Sequence, residues 1–215
     1  GRDVPIVRMF EYNEEYFILH RVVDERSAAY YGLGLAAQLQ QPVACVCTSG
    51  TAVSNYLPAV TEAYFTGVPL IMITADRYEI YHGQGEDQTI PQNHVFAGVI
   101  KKEFTVPEGD SYNAIYQTRR DISDCILEST HNGYGPVHIN IGIGNISEGA
   151  DVHRDHWKLL PQINPHILRV GFNDGNEQLK KWAVEMKKSS RILIVYGHNP
   201  PANERQIKFI ETFIE

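Results

Sequence analysis

The sequence has few cysteines, no long apolar stretch and no run of basic residues. Its 215 residues contain three cysteines, an odd and sparse number that argues against a disulfide framework and predicts a cytoplasmic, reducing compartment. No apolar segment reaches the roughly 20 residues that cross a bilayer, and the first residues lack the pattern of a signal peptide. The net charge is −7, so nucleic acid is not an expected partner, because phosphate binding needs a basic surface.

The pattern of the apolar residues predicts a doubly wound α/β fold. Hydrophobic residues make up 43% of the chain, enough for a sizeable core. The runs 42–47 and 69–73 are apolar at nearly every position, as in the central strands of a mostly parallel sheet with helices on both faces. Further strands are predicted at 22–23, 102–106 and 136–141, alternating with helices at 27–40, 52–65 and 113–130.

The character of the sequence changes after residue 145, and we predict three segments. Residues 1–145 form the first α/β domain, which lacks its first strand because the chain begins just after it. Residues 146–175 are polar, contain two prolines and show no sustained period, as expected of a linker. Residues 176–215, with a buried strand over 191–196, begin a second α/β domain. The chain is therefore interpreted as part of a longer protein.

Polar residues follow three predicted strands, at the carboxyl edge where ligands gather in doubly wound sheets. Asp24 and Glu25 follow the first strand, residues 48–51 follow the second, and Asp76 and Arg77 follow the third. Acidic residues are favoured at helix N-termini by the helix dipole. Glu25 therefore fits either the start of a helix or an inward-facing carboxyl that shares a proton with a ring nitrogen.

The other two groups also have two interpretations each. The segment 48–51 is a tight turn in which Gly50 permits close backbone approach, and it matches no phosphate-loop or dinucleotide motif. It is either a plain turn or a place where a ring or anion rests on free N–H groups. Arg77 fits either an ion pair with Asp76 or recognition of a carboxylate. The loop 78–92 is long enough to expect a functional role.

No metal or redox chemistry is predicted for the cysteines and histidines. Cys45 and Cys47 alternate with valine in an apolar run and are interpreted as core residues. His138 is interpreted as a hydrogen-bonded strand residue. His153 and His156 lie in the predicted linker and are interpreted as solvated surface.

The order and spacing of these residues resemble the pyrimidine-binding domain of thiamine-diphosphate-dependent enzymes. Within that superfamily the chain is similar to the 2-succinyl-5-enolpyruvyl-6-hydroxy-3-cyclohexene-1-carboxylate synthases of menaquinone biosynthesis. The resemblance covers about residues 1–145. It is carried by Val-Asp-Glu-Arg-Ser-Ala-Ala at 23–29, Pro-Val-Ala at 42–44, Thr-Ser-Gly-Thr-Ala-Val at 48–53, Pro-Leu-Ile at 69–71, Thr-Ala-Asp-Arg at 74–77, Gln-Thr-Ile-Pro-Gln at 88–92 and Val-His-Ile-Asn at 137–140.

The resemblance implies roles for the matching residues. Glu25 matches the glutamate that hydrogen-bonds a ring nitrogen of thiamine diphosphate and so activates the cofactor. Thr48 and Gly50 are implied as further cofactor contacts. Arg2 and Arg77 match substrate-binding arginines, and two arginines suit a substrate with two carboxylates. The implied reaction decarboxylates 2-oxoglutarate and adds the remaining fragment to an isochorismate-like acceptor.

Gln88 also matches a substrate contact, but three positions depart from the family's pattern. Gly1 stands for a serine, Tyr78 for a proline and Asp87 for an asparagine. Asp87 is still expected at the substrate site, where it would repel an anion unless protonated or paired. The departures leave open another thiamine-diphosphate-dependent decarboxylase or carboligase, similar to acetolactate synthase. A non-catalytic nucleotide-binding or interaction domain is the alternative of another class.

The resemblance places the second half of the cofactor site elsewhere. The family holds Mg²⁺ and the diphosphate with a Gly-Asp-Gly motif and a later asparagine, and these 215 residues contain no such motif. Mg²⁺ is therefore expected in a domain outside this chain. The cofactor is expected between the subunits of a homodimer or homotetramer, and the chain alone is expected to be inactive.

Overall fold

The computed structural model describes two stretches of the chain and a few single positions between them. These are residues 1–144, residues 202–214 and positions 165, 167, 184, 187, 188, 191 and 193. Within them, no helix is long and apolar enough to cross a membrane.

The chain divides into two compact units, Gly1–Leu168 and Arg169–Glu215. The division falls inside the predicted linker 146–175. Most of that segment and of the predicted strand 191–196 lies outside the described residues, as do His153 and His156. The three predicted segments therefore stay a prediction.

The first unit contains a four-stranded parallel sheet. The elements described in it are α1 (Val4–Tyr12), α2 (Glu25–Leu39), β1 (Val43–Cys47), α3 (Thr51–Asn55), α4 (Leu57–Thr66), β2 (Leu70–Asp76), a 3₁₀ turn (Glu79–Tyr81), β3 (Lys102–Val106), α5 (Tyr112–Glu128) and β4 (Val137–Gly142). The strands lie in the order β1-β2-β4-β3. In the second unit the structure describes a helix, α6 (Glu204–Ile214).

Helices cover both faces of the sheet. Successive residues of a strand point to opposite sides of the sheet, so apolar residues on both sides need a helix to pack against. Leu70 and Met72 of β2 pack in one core with residues of α2, α3 and α4. Ile71, between them, packs in a second core with Cys125 of α5 and Val137 of β4. This arrangement confirms the predicted doubly wound α/β fold.

The predicted strand at residues 22–23 is wrong. The segment forms no strand, and Val23 is fully exposed at 102%. Two adjacent valines favour extended backbone, but a strand also needs a neighbour to share its backbone hydrogen bonds. Within the described residues, β1 pairs with β2 and with no other strand.

All three predicted helices have other bounds than predicted, and two of these differences have a local cause. α2 begins at Glu25, because the Asp24 side chain caps it by accepting a 2.8 Å hydrogen bond from the Ser27 N–H. That hydrogen bond lowers the pKa of Asp24. The predicted helix 52–65 is divided into α3 and α4, since Pro58 has no N–H to continue the hydrogen-bond ladder. Because α2 begins at Glu25, this residue lies in the first turn of the helix.

All three cysteines are buried and unbridged, as predicted for Cys45 and Cys47. Burial raises the pKa of Cys45, Cys47 and Cys125 to about 12, and only the thiolate reacts with disulfide reagents. We expect no thiol of this chain to react with an aromatic disulfide at pH 8 in the native protein, and all three to react after unfolding in urea. Reaction of one thiol in the native protein would contradict the burial.

Candidate functional site

A row of buried polar side chains crosses the sheet near its carboxyl edge. The Thr74 hydroxyl donates to Asn140 Oδ1 at 2.8 Å and therefore accepts from His138 Nε2 at 2.7 Å. Asn140 Nδ2 donates to Asp76 Oδ2 at 2.9 Å. All four residues are at most 2% exposed. His138 is thus a hydrogen-bonded strand residue, as predicted, whereas the roles of Thr74 and Asn140 were missed.

Gln92 joins this row to the turn after β1. Its Oε1 accepts from the Gly50 N–H at 2.8 Å, and its Nε2 donates to the Ala75 carbonyl at 3.0 Å and to Asn140 Oδ1 at 2.8 Å. The backbone at Gly50 has φ +80°, and a Cβ there would lie 3.0 Å from the backbone of Gln88. The turn therefore requires glycine. The expectation of a free N–H is wrong at Gly50, because Gln92 occupies it.

Glu25 lies half-buried in the first turn of α2, and its charge acts on Cys47 at the end of β1. Burial is the main cause of the raised pKa of the Cys47 thiol, and the Glu25 charge adds to it. The pKa of the buried Tyr56 phenol is also raised, by burial first and by Glu25 among its neighbours. Among the described residues, the Glu25 carboxylate has no hydrogen bond or ion pair, so it is available to accept one from a ligand.

The turn beside Glu25 carries a second unsatisfied polar group. Ser49 is 2% exposed, and its hydroxyl has no hydrogen-bond partner within the described part of the chain. Thr48 Oγ1 accepts from the Arg2 N–H at 3.0 Å. A buried hydroxyl without a partner is costly.

Arg77 is held by two acidic residues of the following loop. Its Nη1 lies 2.9 Å from Glu86 Oε2, and its Nη2 lies 2.7 Å from Asp87 Oδ1. Its Nε also donates to the Asp87 carbonyl at 3.1 Å. The Arg77 guanidinium therefore pairs with the loop and not with Asp76, which accepts from Arg77 the backbone N–H, at 2.8 Å. The Asp87 carboxylate was expected to repel an anion unless it was paired. In the structure it is paired with Arg77.

Arg2 links the turn after β1 to the segment that follows β4. Its guanidinium donates to the carbonyls of Ile143 and Gly144 at 2.7 and 3.0 Å. Burial and then the nearby Arg77 charge lower the pKa of Arg2, while Glu86 and other acidic groups oppose that change. An arginine with a lowered pKa still remains charged in a protein. Two guanidinium groups therefore lie close together at this edge.

The departure at Tyr78 has a packing reason. A Cβ on Gly142 or on Gly144 would lie 3.0 or 2.9 Å from atoms of the Tyr78 ring. The ring therefore fills the space beside the end of β4 that the two glycines leave open. It lies next to the carbonyls that hold Arg2.

The structure brings the predicted site residues to one edge of the sheet. Arg2 contacts Thr48 and lies within electrostatic range of Arg77 and Asp87. Gly50 contacts Gln88 through the backbone. Glu25 reaches the same edge through its interaction with Cys47 at the end of β1. Within the described residues there is no group of three or more His, Cys, Asp and Glu side chains arranged to hold a metal ion.

Comparison with known proteins matches the segment that contains these residues to a known family. Residues 1–95 match the model of the thiamine pyrophosphate enzymes' N-terminal binding domain. The chain is similar to 2-succinyl-5-enolpyruvyl-6-hydroxy-3-cyclohexene-1-carboxylate synthases. The one from Phocaeicola vulgatus is 37% identical over 197 residues, which is 92% of this chain and 34% of the relative. Those from Bacteroides thetaiotaomicron and Bacteroides fragilis are 42% and 40% identical, over 66% and 92% of this chain and 26% and 34% of the relatives.

Two of these relatives match most of this chain, but the chain spans only about a third of their length. The names of the relatives favour the resemblance to these synthases over the two alternatives. Every residue predicted to contact cofactor or substrate, from Arg2 to Gln88, lies inside the segment 1–95. With its parallel α/β sheet, the first part of the chain, residues 1–95, is similar to the N-terminal binding domain of the thiamine pyrophosphate enzymes.

Proposed function

We propose that this chain is the pyrimidine-binding part of a thiamine-diphosphate-dependent synthase. The proposed reaction removes carbon dioxide from 2-oxoglutarate and adds the remaining fragment to isochorismate. The observation that carries the proposal is the Glu25 carboxylate, half-buried and without a partner among the described residues, inside the segment that matches the family model. The names of the relatives support the choice of substrates.

Glu25 is proposed to hold a proton between its carboxylate and a ring nitrogen of the aminopyrimidine. When bound, thiamine diphosphate supplies the carbanion chemistry that breaks and forms the carbon–carbon bonds. The half-buried position of Glu25 limits competition from water, so a hydrogen bond there is stronger than on the surface. Thr48 and Gly50 are proposed to shape the turn against which the ring lies, and Thr48 also holds the Arg2 backbone.

Arg2, Arg77 and Gln88 are proposed to bind the carboxylates of the substrates. A substrate carboxylate approaching Arg77 would compete with Glu86 and Asp87, which already occupy its guanidinium. Arg77 is 11% exposed and Asp87 is 88% exposed. The acidic loop therefore has room to move away, and Asp87 is the side chain that a substrate would displace.

Replacing Asp87 with asparagine is expected to lower KM for the anionic donor by roughly two- to fivefold, because exposed ion pairs contribute only a fraction of a kcal/mol to about one. Steady-state kinetics of the full-length protein with 2-oxoglutarate measure this change. The matched control is Asp110→Asn, an exposed aspartate in the loop after β3, which should leave KM unchanged. An increased KM for Asp87→Asn would show that Asp87 helps to bind the donor.

The remaining parts of the proposal concern the whole protein. We propose that Mg²⁺ and the diphosphate are held by a domain outside these residues, and that two subunits share the cofactor in a homodimer or homotetramer. Residues 1–145 would form the pyrimidine-binding domain, 146–175 a linker and 176–215 the start of a central domain. A cytoplasmic location is supported by the three unbridged, buried cysteines.

Two measurements on the full-length protein test the function. A thermal melt with thiamine diphosphate and Mg²⁺ should show a higher midpoint than a melt without them, since a ligand of the native state stabilises it by mass action. Product formation from 2-oxoglutarate should occur with isochorismate and not with a pyruvate-type acceptor. The absence of a thermal shift would refute the proposed cofactor. Activity with the pyruvate-type acceptor alone would refute the proposed substrates.

A further inference from the structure

Gln92 lies where three strand ends meet the loop 77–92, and the proposed function does not use it. It is fully buried. Its amide oxygen accepts from Gly50 after β1, and its amide nitrogen donates to Ala75 in β2 and to Asn140 in β4. Both N–H groups are used, so a reversed amide would place an oxygen against two acceptors. The orientation of the Gln92 amide is therefore fixed.

The loop residue next to the glycine turn is itself in an unusual conformation. Gln88 has φ +52°, which residues other than glycine seldom adopt. Its backbone lies against Gly50, where no side chain would fit. A contact this close requires that both segments be held in place, and Gln92 is the side chain that bonds the end of the loop to the turn.

We propose that Gln92 is a positioning residue that holds the Gly50 turn and the loop 77–92 at a fixed spacing. The turn is part of the proposed cofactor site, and the loop carries Gln88, Asp87 and Glu86 to the proposed substrate site. Gln92 thereby couples the two sites without touching either ligand. The identity of the ligand, thiamine diphosphate, rests on the proposed function, whereas the role of Gln92 rests on its three hydrogen bonds.

The test uses Gln92→Met in the full-length protein, because methionine has the same length and no amide. The matched control is Thr74→Val, which removes a hydroxyl from the same buried row but leaves all three Gln92 hydrogen bonds in place. Two quantities are measured for each: the Kd for thiamine diphosphate with Mg²⁺ by calorimetry, and the hydrogen exchange of Gly50 and of the loop amides. Melting temperatures report the general loss of stability.

For Gln92→Met we expect a Kd about tenfold higher and exchange about tenfold faster at Gly50 and across 86–90. Thr74→Val should lower the melting temperature without either effect. Equal changes in the two variants, or none in Gln92→Met, would overturn the proposal. If Gln92→Met does not fold, Gln92→Glu is compared in the same way. If the wild-type protein does not bind thiamine diphosphate, the proposed function fails, and exchange at Gly50 still decides the role of Gln92.

Discussion

Replacing Glu25 with glutamine is expected to slow 2-oxoglutarate decarboxylation by the full-length protein about 10²- to 10⁴-fold, the range over which a positioned acid or base contributes. Glutamine has the same shape and still forms hydrogen bonds, but it cannot exchange a proton with a ring nitrogen. The loss should therefore appear in kcat, with a smaller change in the Kd for thiamine diphosphate. Release of carbon dioxide and calorimetry measure the two quantities separately.

Glu62→Gln is a matched control for this experiment. Glu62 is exposed on α4, so the same change of charge there should leave kcat and the Kd unaltered. Unchanged decarboxylation by Glu25→Gln would refute the role of this carboxylate. A large loss of cofactor binding with normal kcat at saturation would show instead that Glu25 only holds the ring.

The second large effect is expected for Asn140→Leu, which we predict to lower the free energy of unfolding by about 3 kcal/mol. Leucine is close to asparagine in size but leaves Asp76 without its Nδ2 donor. Thr74 and Gln92 lose the oxygen to which both donate. Asp76 is a carboxylate that is only 2% exposed, and water cannot readily replace the lost partner. A melt should show a midpoint lower by roughly 6–12 °C.

Asn55→Leu provides the comparison for this melt. Asn55 is exposed at the end of α3, and surface substitutions usually change stability by no more than about 0.5 kcal/mol. A melting temperature of Asn140→Leu equal to that of Asn55→Leu would contradict the buried hydrogen-bond row. The outcome also bears on function, because the row supports both Gln92 and Asp76 beneath the proposed site.

The fold was predictable because the signals for it are local. Nearly continuous apolar runs at 42–47 and 69–73 indicate buried parallel strands, and polar residues directly after parallel strands meet at one edge. Arg77 directly follows one of these strands, whereas Glu25 follows a segment that forms no strand, and Arg2 was implied by the family resemblance alone. The error at residues 22–23 has the opposite cause, since two valines favour extended backbone but pairing depends on a neighbour that local sequence does not specify.

Partners across the fold were decided by the tertiary structure alone. Gly50 and Gln92 are 42 residues apart, and Thr74 and Asn140 are 66 apart. Such pairs meet only because the strand order is β1-β2-β4-β3 and the register sets Thr74 opposite Asn140. The pairing of Arg77 with Glu86 and Asp87 likewise depends on how the loop folds back over the edge. Residue type and periodicity determined which side chains reach this edge, whereas strand order and register determined which of them bond to one another.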